Sequence, residues 1–140
     1  MTNVKLIHHI AIVVDDIDSA LPFWTDALGL ELSKIEEVSE QEAIVAFLPC
    51  GDSKVELVQP TTKDSGIAQF ISKRGPGMHH ICFEVDDIVN VMQDMVSKGV
   101  LMINKEPLLR SDGRKYAFIH PKSTGGVLVE LYQLPASQGE

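Results

Sequence analysis

The chain has 140 residues, of which 44% are apolar and 23% charged, and its formal net charge at pH 7 is −8. This composition is typical of one ordered globular domain and excludes a largely disordered chain. The negative charge argues against a nucleic-acid partner, which requires clustered lysine and arginine. The sequence has no apolar run of about 20 residues, the length of a membrane span, so we expect a cytoplasmic protein without membrane contact.

Two parts of the chain repeat each other. Residues 8–17, HHIAIVVDDI, and residues 79–88, HHICFEVDDI, agree at seven of ten positions at an offset of 71 residues. VELVQ at 55–59 and VELYQ at 129–133 form a second repeated pair. The offset is far longer than the repeat of a solenoid, so the repetition predicts two related halves of one domain.

In the first half, the β-branched run at 7–14 predicts a buried strand, and Asp15 and Asp16 after it can cap a helix. The helical pattern runs from Ile17 to Leu28 and ends at Gly29, provided that Pro22 lies in the first turn. Three further strands are expected at 30–38, 43–48 and 54–59.

The second half follows the same order. It predicts a strand at 79–85, a helix from Ile88 to Val96 that ends at Gly99, and strands at 101–104, 115–120 and 127–133. Each half is therefore expected to be βαβββ, with module 1 at about 4–60 and module 2 at about 78–134. A connector at 61–77 contains a short helix, 67–73. We expect an α+β fold in a single domain, 1–140, because neither half alone would have enough core.

Alternation along the strands places one histidine and one glutamate of each half on the more open face of the sheet. His9 and His80 lie on the face opposite to the bulky apolar residues that would carry the helices. Glu56 and Glu130 are flanked by apolar residues that anchor the other face, and a carboxylate there is costly to bury unless it binds a proton or a cation. If the halves pair about a pseudo-twofold axis, these four residues suit one divalent transition metal.

Other repeated polar residues have a structural explanation. The repeated aspartates are expected to cap helices, and His8 and His79 point toward the helix side of their strands. Cys50 and Cys82 are expected to be reduced thiols. We assign these residues no catalytic role.

The paired βαβββ modules, with a histidine opening each half and a glutamate on each last strand, resemble the vicinal oxygen chelate superfamily. Within it, IAQFISKRGPGMHHICFEVDDI at 67–88 and GRKYAFIHPKSTGGVLVELYQ at 113–133 resemble the methylmalonyl-CoA epimerase family. The resemblance implies an open, cup-shaped, eight-stranded sheet, a homodimer and a divalent ion, with Co²⁺ favoured over Zn²⁺, Ni²⁺ or Mn²⁺. It places metal ligands at His9, His80 and Glu130, with Glu56 as the fourth ligand where some members have glutamine. Val45 or a near neighbour stands where some bacterial members carry an additional glutamate.

The resemblance also implies an acyl-CoA substrate, with (R)- and (S)-methylmalonyl-CoA interconverted by proton abstraction and a metal-stabilised enolate. Glu130 and Glu56 are then the candidate catalytic residues. Two alternatives stay open, a glyoxalase I-like lyase with the same four ligand types and a non-catalytic small-molecule binding protein of the same fold.

Overall fold

The computed structural model describes residues 4–136. It contains three α-helices, α1 (Ile17–Pro22), α2 (Gly66–Arg74) and α3 (Ile88–Ser97). The strands are β1 (Val4–Val13), β2 (Lys34–Val38), β3 (Ala43–Cys50), β4 (Ser53–Pro60), β5 (Gly77–Val85), β6 (Leu108–Leu109), β7 (Lys115–Ile119) and β8 (Val129–Gln133).

All eight strands belong to one mixed sheet, which confirms the predicted α+β class with an eight-stranded sheet. The chain forms two compact units, of which one is His9–His79 and the other joins the residues before His9 to those from His80 onward. The boundaries therefore fall inside β1 and inside β5. The bounds predicted for the modules and connector, and the single domain, stay predictions.

In the His9–His79 unit the strands follow the order β2-β3-β4-β1. β1 is parallel to β4, whereas β4 and β3, and β3 and β2, are antiparallel. The helix α1 packs on the face that carries Val14 and Leu57, as predicted. Because α2 presents an apolar side of its own, it packs on the opposite face, against the cluster of Ala11 and Val13. The connector helix thus covers part of the face that carries His9. The sequence analysis did not predict this packing.

The other unit repeats this arrangement with the order β5-β8-β7-β6. β5 is parallel to β8, and β8 and β7 are antiparallel. The apolar side of α3, which includes Ile88 and Met92, packs against Leu131 and Ile119 on one face of these strands. This packing leaves the alternate positions of β8, Glu130 among them, on the opposite face.

Side chains cap the corresponding helices of the two halves in the same way. Asp16 accepts a hydrogen bond from the backbone N–H of the third residue of α1, and Asp87 does so for α3. In addition, Gln59 Oε1 accepts from the first N–H of α1 at 2.9 Å, and Gln133 Oε1 from the first N–H of α3 at 2.8 Å. The predicted aspartate caps are confirmed at these two positions, and the repeated glutamines join each last strand to its helix.

The first helix differs from the prediction. Pro22 is the sixth and last residue of α1, beyond the first turn, and a five-residue π-helix, Phe23–Ala27, follows it. Proline has no N–H to donate to the preceding turn, so the regular α-helical pattern cannot pass through this position unchanged. The wider turn closes instead through a 2.8 Å hydrogen bond from Leu28 N to Phe23 O.

The strand predicted at 101–104 is wrong. Met102 forms an isolated bridge with Ile119, and the described strand of this region is β6, Leu108–Leu109. The Asn104 side chain accepts the backbone N–H of Phe118 at 2.8 Å. A side chain therefore replaces the backbone acceptor that a continuing ladder would need.

Candidate functional site

The first histidine–glutamate pair lies in the His9–His79 unit. His9 is on β1 and Glu56 on the parallel neighbour β4, with Ala11 in register with Glu56. His9 Nδ1 lies 3.5 Å from Glu56 Oε2, and the side chains are only 8% and 14% exposed. The structure therefore brings together the two candidate ligands of this half.

The position of Glu56 follows from its neighbours along β4. Val55 and Leu57 point to the opposite face and pack in the cluster beneath α1. Across the antiparallel pair, Phe47 of β3 is in register with Glu56. Because the apolar flanks are fixed by packing, the carboxylate cannot leave its face without exposing them.

The second pair lies in the other unit and is closer. His80 Nε2 of β5 lies 3.0 Å from Glu130 Oε1 of β8, and the Glu130 side chain is 2% exposed. Cys82, which is fully buried, is in register with Glu130 across the parallel strands. Phe118 of β7 is in register with Glu130 on the other side, and its ring stands edge-on to His80 with centroids 5.7 Å apart. Cys82 and Phe118 thus flank Glu130 on the two neighbouring strands, and the His80 imidazole lies beside the Glu130 carboxylate.

Two arginines lie near the second pair, and neither was predicted as a catalytic or metal-binding residue. Arg110 Nη2 lies 3.8 Å from Glu130 Oε2, and the Arg110 side chain is 12% exposed. Arg114 Nη1 donates to Tyr132 Oη at 2.9 Å. Burial raises the pKa of Tyr132 above its ordinary value, although the hydrogen bond and charge of Arg114 act in the opposite direction. No sequence pattern marks Arg110, since it follows a two-residue strand in a hairpin turn.

The remaining conspicuous polar residues have structural partners. The buried His8 ring lies 4.7 Å from the ring of Tyr132, and the His79 ring stands edge-on to Phe70 at 4.9 Å. Glu84, which shares a strand face with His80, pairs with Lys5 at 3.5 Å. The structural roles expected for His8 and His79 stay predictions.

Each pair has the donor chemistry of half a transition-metal site. An imidazole nitrogen and a carboxylate oxygen are ligands typical of Zn²⁺, Co²⁺ and related divalent ions. The two pairs occupy equivalent places, on the first and last strands of their halves. Val45, which the sequence resemblance places where some bacterial members carry an additional glutamate, is 1% exposed and packs with Ala11 and Val58. Its position is part of an apolar core and provides no acid or base.

Comparison with known proteins identifies the family. Residues 8–118 match the model of the glyoxalase/bleomycin resistance protein/dioxygenase superfamily. The mitochondrial methylmalonyl-CoA epimerase of Homo sapiens is 39% identical over 132 residues, which are 94% of this chain and 75% of the human protein. The chain belongs to this superfamily and, within it, to the methylmalonyl-CoA epimerase family. The resemblance predicted from the sequence is thus confirmed.

Solved structures of this family have the same fold. The methylmalonyl-CoA epimerase of Mycobacterium tuberculosis is 32% identical, with a TM-score of 0.85 over 98% of this chain and 92% of its own. A variant of the Streptomyces coelicolor methylmalonyl-CoA epimerase, solved in complex with 2-nitronate-propionyl-CoA, is 34% identical. Its TM-score is 0.82 over 95% of this chain and 99% of its own. Within residues 4–136, no helix is long and apolar enough to cross a membrane.

Proposed function

We propose that this protein is a methylmalonyl-CoA epimerase, an isomerase that interconverts the (R) and (S) forms of methylmalonyl-CoA. The observation that carries the proposal is the pair of largely buried histidine–glutamate contacts at equivalent places in the two halves of an epimerase-family chain. The S. coelicolor relative is described with an acyl-CoA analogue bound, which supports a CoA thioester as the substrate class.

The four residues His9, Glu56, His80 and Glu130 are proposed to bind one divalent ion, with Co²⁺ favoured and Zn²⁺, Ni²⁺ and Mn²⁺ as alternatives. Two imidazoles and two carboxylates suit such an ion and leave coordination positions for substrate oxygens. When bound, the ion would supply Lewis-acid stabilisation of the negative charge that develops on the thioester oxygen. The donor types and their burial support this assignment.

Epimerisation requires removal of a proton from the carbon between the thioester and the free carboxylate, and return of a proton to the opposite face. We assign the removal to Glu130, as a carboxylate that accepts the proton, and the return to Glu56, as a protonated carboxyl group that donates one. A carboxylate held in a site from which water is largely excluded can transfer a proton efficiently when it lies within hydrogen-bond reach of the reacting carbon. Both side chains are nearly buried, at 2% and 14% exposure, which supports this assignment.

A glyoxalase I-like lyase is the second candidate, since the same two imidazoles and two carboxylates serve that reaction. The decisive experiment loads protein purified without an affinity tag with Co²⁺ or Ni²⁺ and offers each substrate separately. We expect epimerisation, followed with a coupled mutase, and no lactoyl-thioester formation by absorbance. Lyase activity without epimerisation would replace the first proposal by the second, and absence of both activities would favour a binding protein.

Metal analysis of the same preparation tests the ligand assignment independently of activity. We expect close to one ion per chain, and removal of the ion by a chelator should abolish epimerisation reversibly. Full activity after verified metal removal would contradict the role of the ion. We also propose a cytoplasmic homodimer, for which light scattering should give twice the chain mass of 15.4 kDa.

A further inference from the structure

Backbone hydrogen bonds fix the position of Arg110 in its hairpin turn. It follows β6 directly, its N–H donates to Arg114 O at 2.8 Å, and its carbonyl accepts from Gly113 N at 3.0 Å. Gly113 has a φ of 93°, and a Cβ at this position would lie 3.3 Å from the Pro135 side chain. The turn is therefore suited to glycine, and it fixes the direction in which the arginine leaves the hairpin.

The guanidinium of Arg110 is also packed by aromatic rings. Its central carbon lies 4.2 Å from the ring centroid of Tyr116 and 5.9 Å from that of Tyr132. A planar guanidinium stacks well on such rings, and a cation over an aromatic face is stabilised more strongly when it is withdrawn from water. Because the side chain is only 12% exposed, its charge acts on its neighbours with less screening than a surface charge would.

The two oxygens of Glu130 face different partners. Oε1 lies 3.0 Å from His80 Nε2, whereas Oε2 lies 3.8 Å from Arg110 Nη2. The second distance exceeds that of a charge-assisted hydrogen bond, about 2.7–2.9 Å, so the arginine attracts this oxygen mainly through its charge. The Glu130 carboxylate is thereby oriented by His80 on β5 and by Arg110 in the turn after β6.

We propose that Arg110 is a positioning residue for Glu130, which holds the orientation of the carboxylate that carries the proton transfer. This inference rests on the proposed epimerase function. It follows that the loss of Arg110 lowers kcat, because Glu130 then samples other orientations, while KM changes little. A residue that bound the substrate directly would instead raise KM.

The corresponding hairpin turn of the first half carries no arginine. The turn between β2 and β3, residues 39–42, has the sequence SEQE, with two glutamates and no arginine. Glu56 is therefore oriented without an arginine from the corresponding hairpin turn. The two halves are otherwise similar, but only the hairpin turn of the second half places an arginine, Arg110, near the carboxylate of its last strand.

The test compares Arg110→Met, Arg110→Lys and Arg74→Met in the metal-loaded protein. Arg74 is an exposed arginine whose guanidinium lies 5.5 Å from the Phe70 ring centroid, so its substitution removes the same charge and a similar stacking contact elsewhere. We expect Arg110→Met to lower kcat by about 10- to 100-fold, the usual effect of losing a partner that orients a site ligand, with KM within about threefold. Arg110→Lys should recover part of the loss because it keeps the charge, and Arg74→Met should leave both constants unchanged.

An unchanged kcat, a raised KM with kcat unchanged, or a lysine variant no better than methionine would each overturn the inference. A second readout needs no turnover. In metal-free protein, the free energies of unfolding of wild type, Arg110→Met, Glu130→Gln and the double variant form a double-mutant cycle. We expect non-additive shifts, since the two side chains interact, and additive shifts would refute the contact. If the wild-type protein shows no epimerisation, the proposed function fails, but this cycle still tests the pairing.

Discussion

Replacement of Glu130 by glutamine tests the proposed base most directly. The substitution keeps the size and shape of the side chain and removes its negative charge, while His80 at 3.0 Å and Arg110 at 3.8 Å stay in place. A positioned general base contributes about 10²- to 10⁴-fold to the rate. We therefore expect deuterium exchange at the central carbon of methylmalonyl-CoA to fall by about 10³-fold, which corresponds to about 4 kcal/mol in the activation free energy.

The assay follows loss of the substrate's central hydrogen by proton NMR in D₂O with excess Co²⁺, so that a weakened metal affinity does not limit the rate. Glu84→Gln is the matched control, because Glu84 is also a buried glutamate of this unit and pairs with Lys5. It should exchange deuterium at the wild-type rate. Exchange by Glu130→Gln within tenfold of wild type would refute its role as the base.

Three further predictions follow from other contacts. Glu56→Gln should still exchange deuterium with one stereoisomer but lose inversion, because the proton can no longer be returned to the opposite face; full epimerisation would contradict its role. Gln59→Leu and Gln133→Leu each leave a helix N-terminal N–H without its acceptor, so urea unfolding should show losses of about 1–3 kcal/mol, against little change for the exposed Gln93→Leu. Because the pKa of Tyr132 is raised, the folded protein holds that proton more tightly than the unfolded chain, and the free energy of unfolding should fall as the pH rises above about 10. Tyr132→Phe should make this alkaline decline shallower, and an identical pH dependence would refute the contribution.

Strand alternation was sufficient to predict the faces of the candidate site glutamates. The apolar flanks of Glu56 and Glu130 pack beneath α1 and α3 respectively, as the period of two requires. The internal repeat placed one histidine and one glutamate in each half, and the structure shows that each histidine contacts the glutamate of its own half. These features were predictable because burial of the apolar flanks leaves a strand only one register.

Features that depend on contacts distant in sequence were not predictable in this way. Asn104 interrupts a strand pairing because its side chain accepts a hydrogen bond from the backbone N–H of Phe118. No local sequence pattern predicts this contact. The glutamines of VELVQ and VELYQ were visible as a repeat, but their role at the helix N-termini depends on a separation of more than 40 residues. Pro22 is a different case, because its chemistry was recognised and only its position in the helix was misjudged.

The departure from symmetry bears on the chemistry. A duplicated chain provides two similar carboxylates, which suits a reaction in which protons leave one face of a carbon and arrive at the other. Identical surroundings would nevertheless give both carboxylates the same orientation and the same constraints. The hairpin before β7 places Arg110 beside Glu130, whereas the corresponding turn of the first half contributes glutamates. The two hairpin turns therefore differ at the point where Arg110 approaches Glu130, although VELVQ and VELYQ, the strand segments that carry the two carboxylates, are nearly the same.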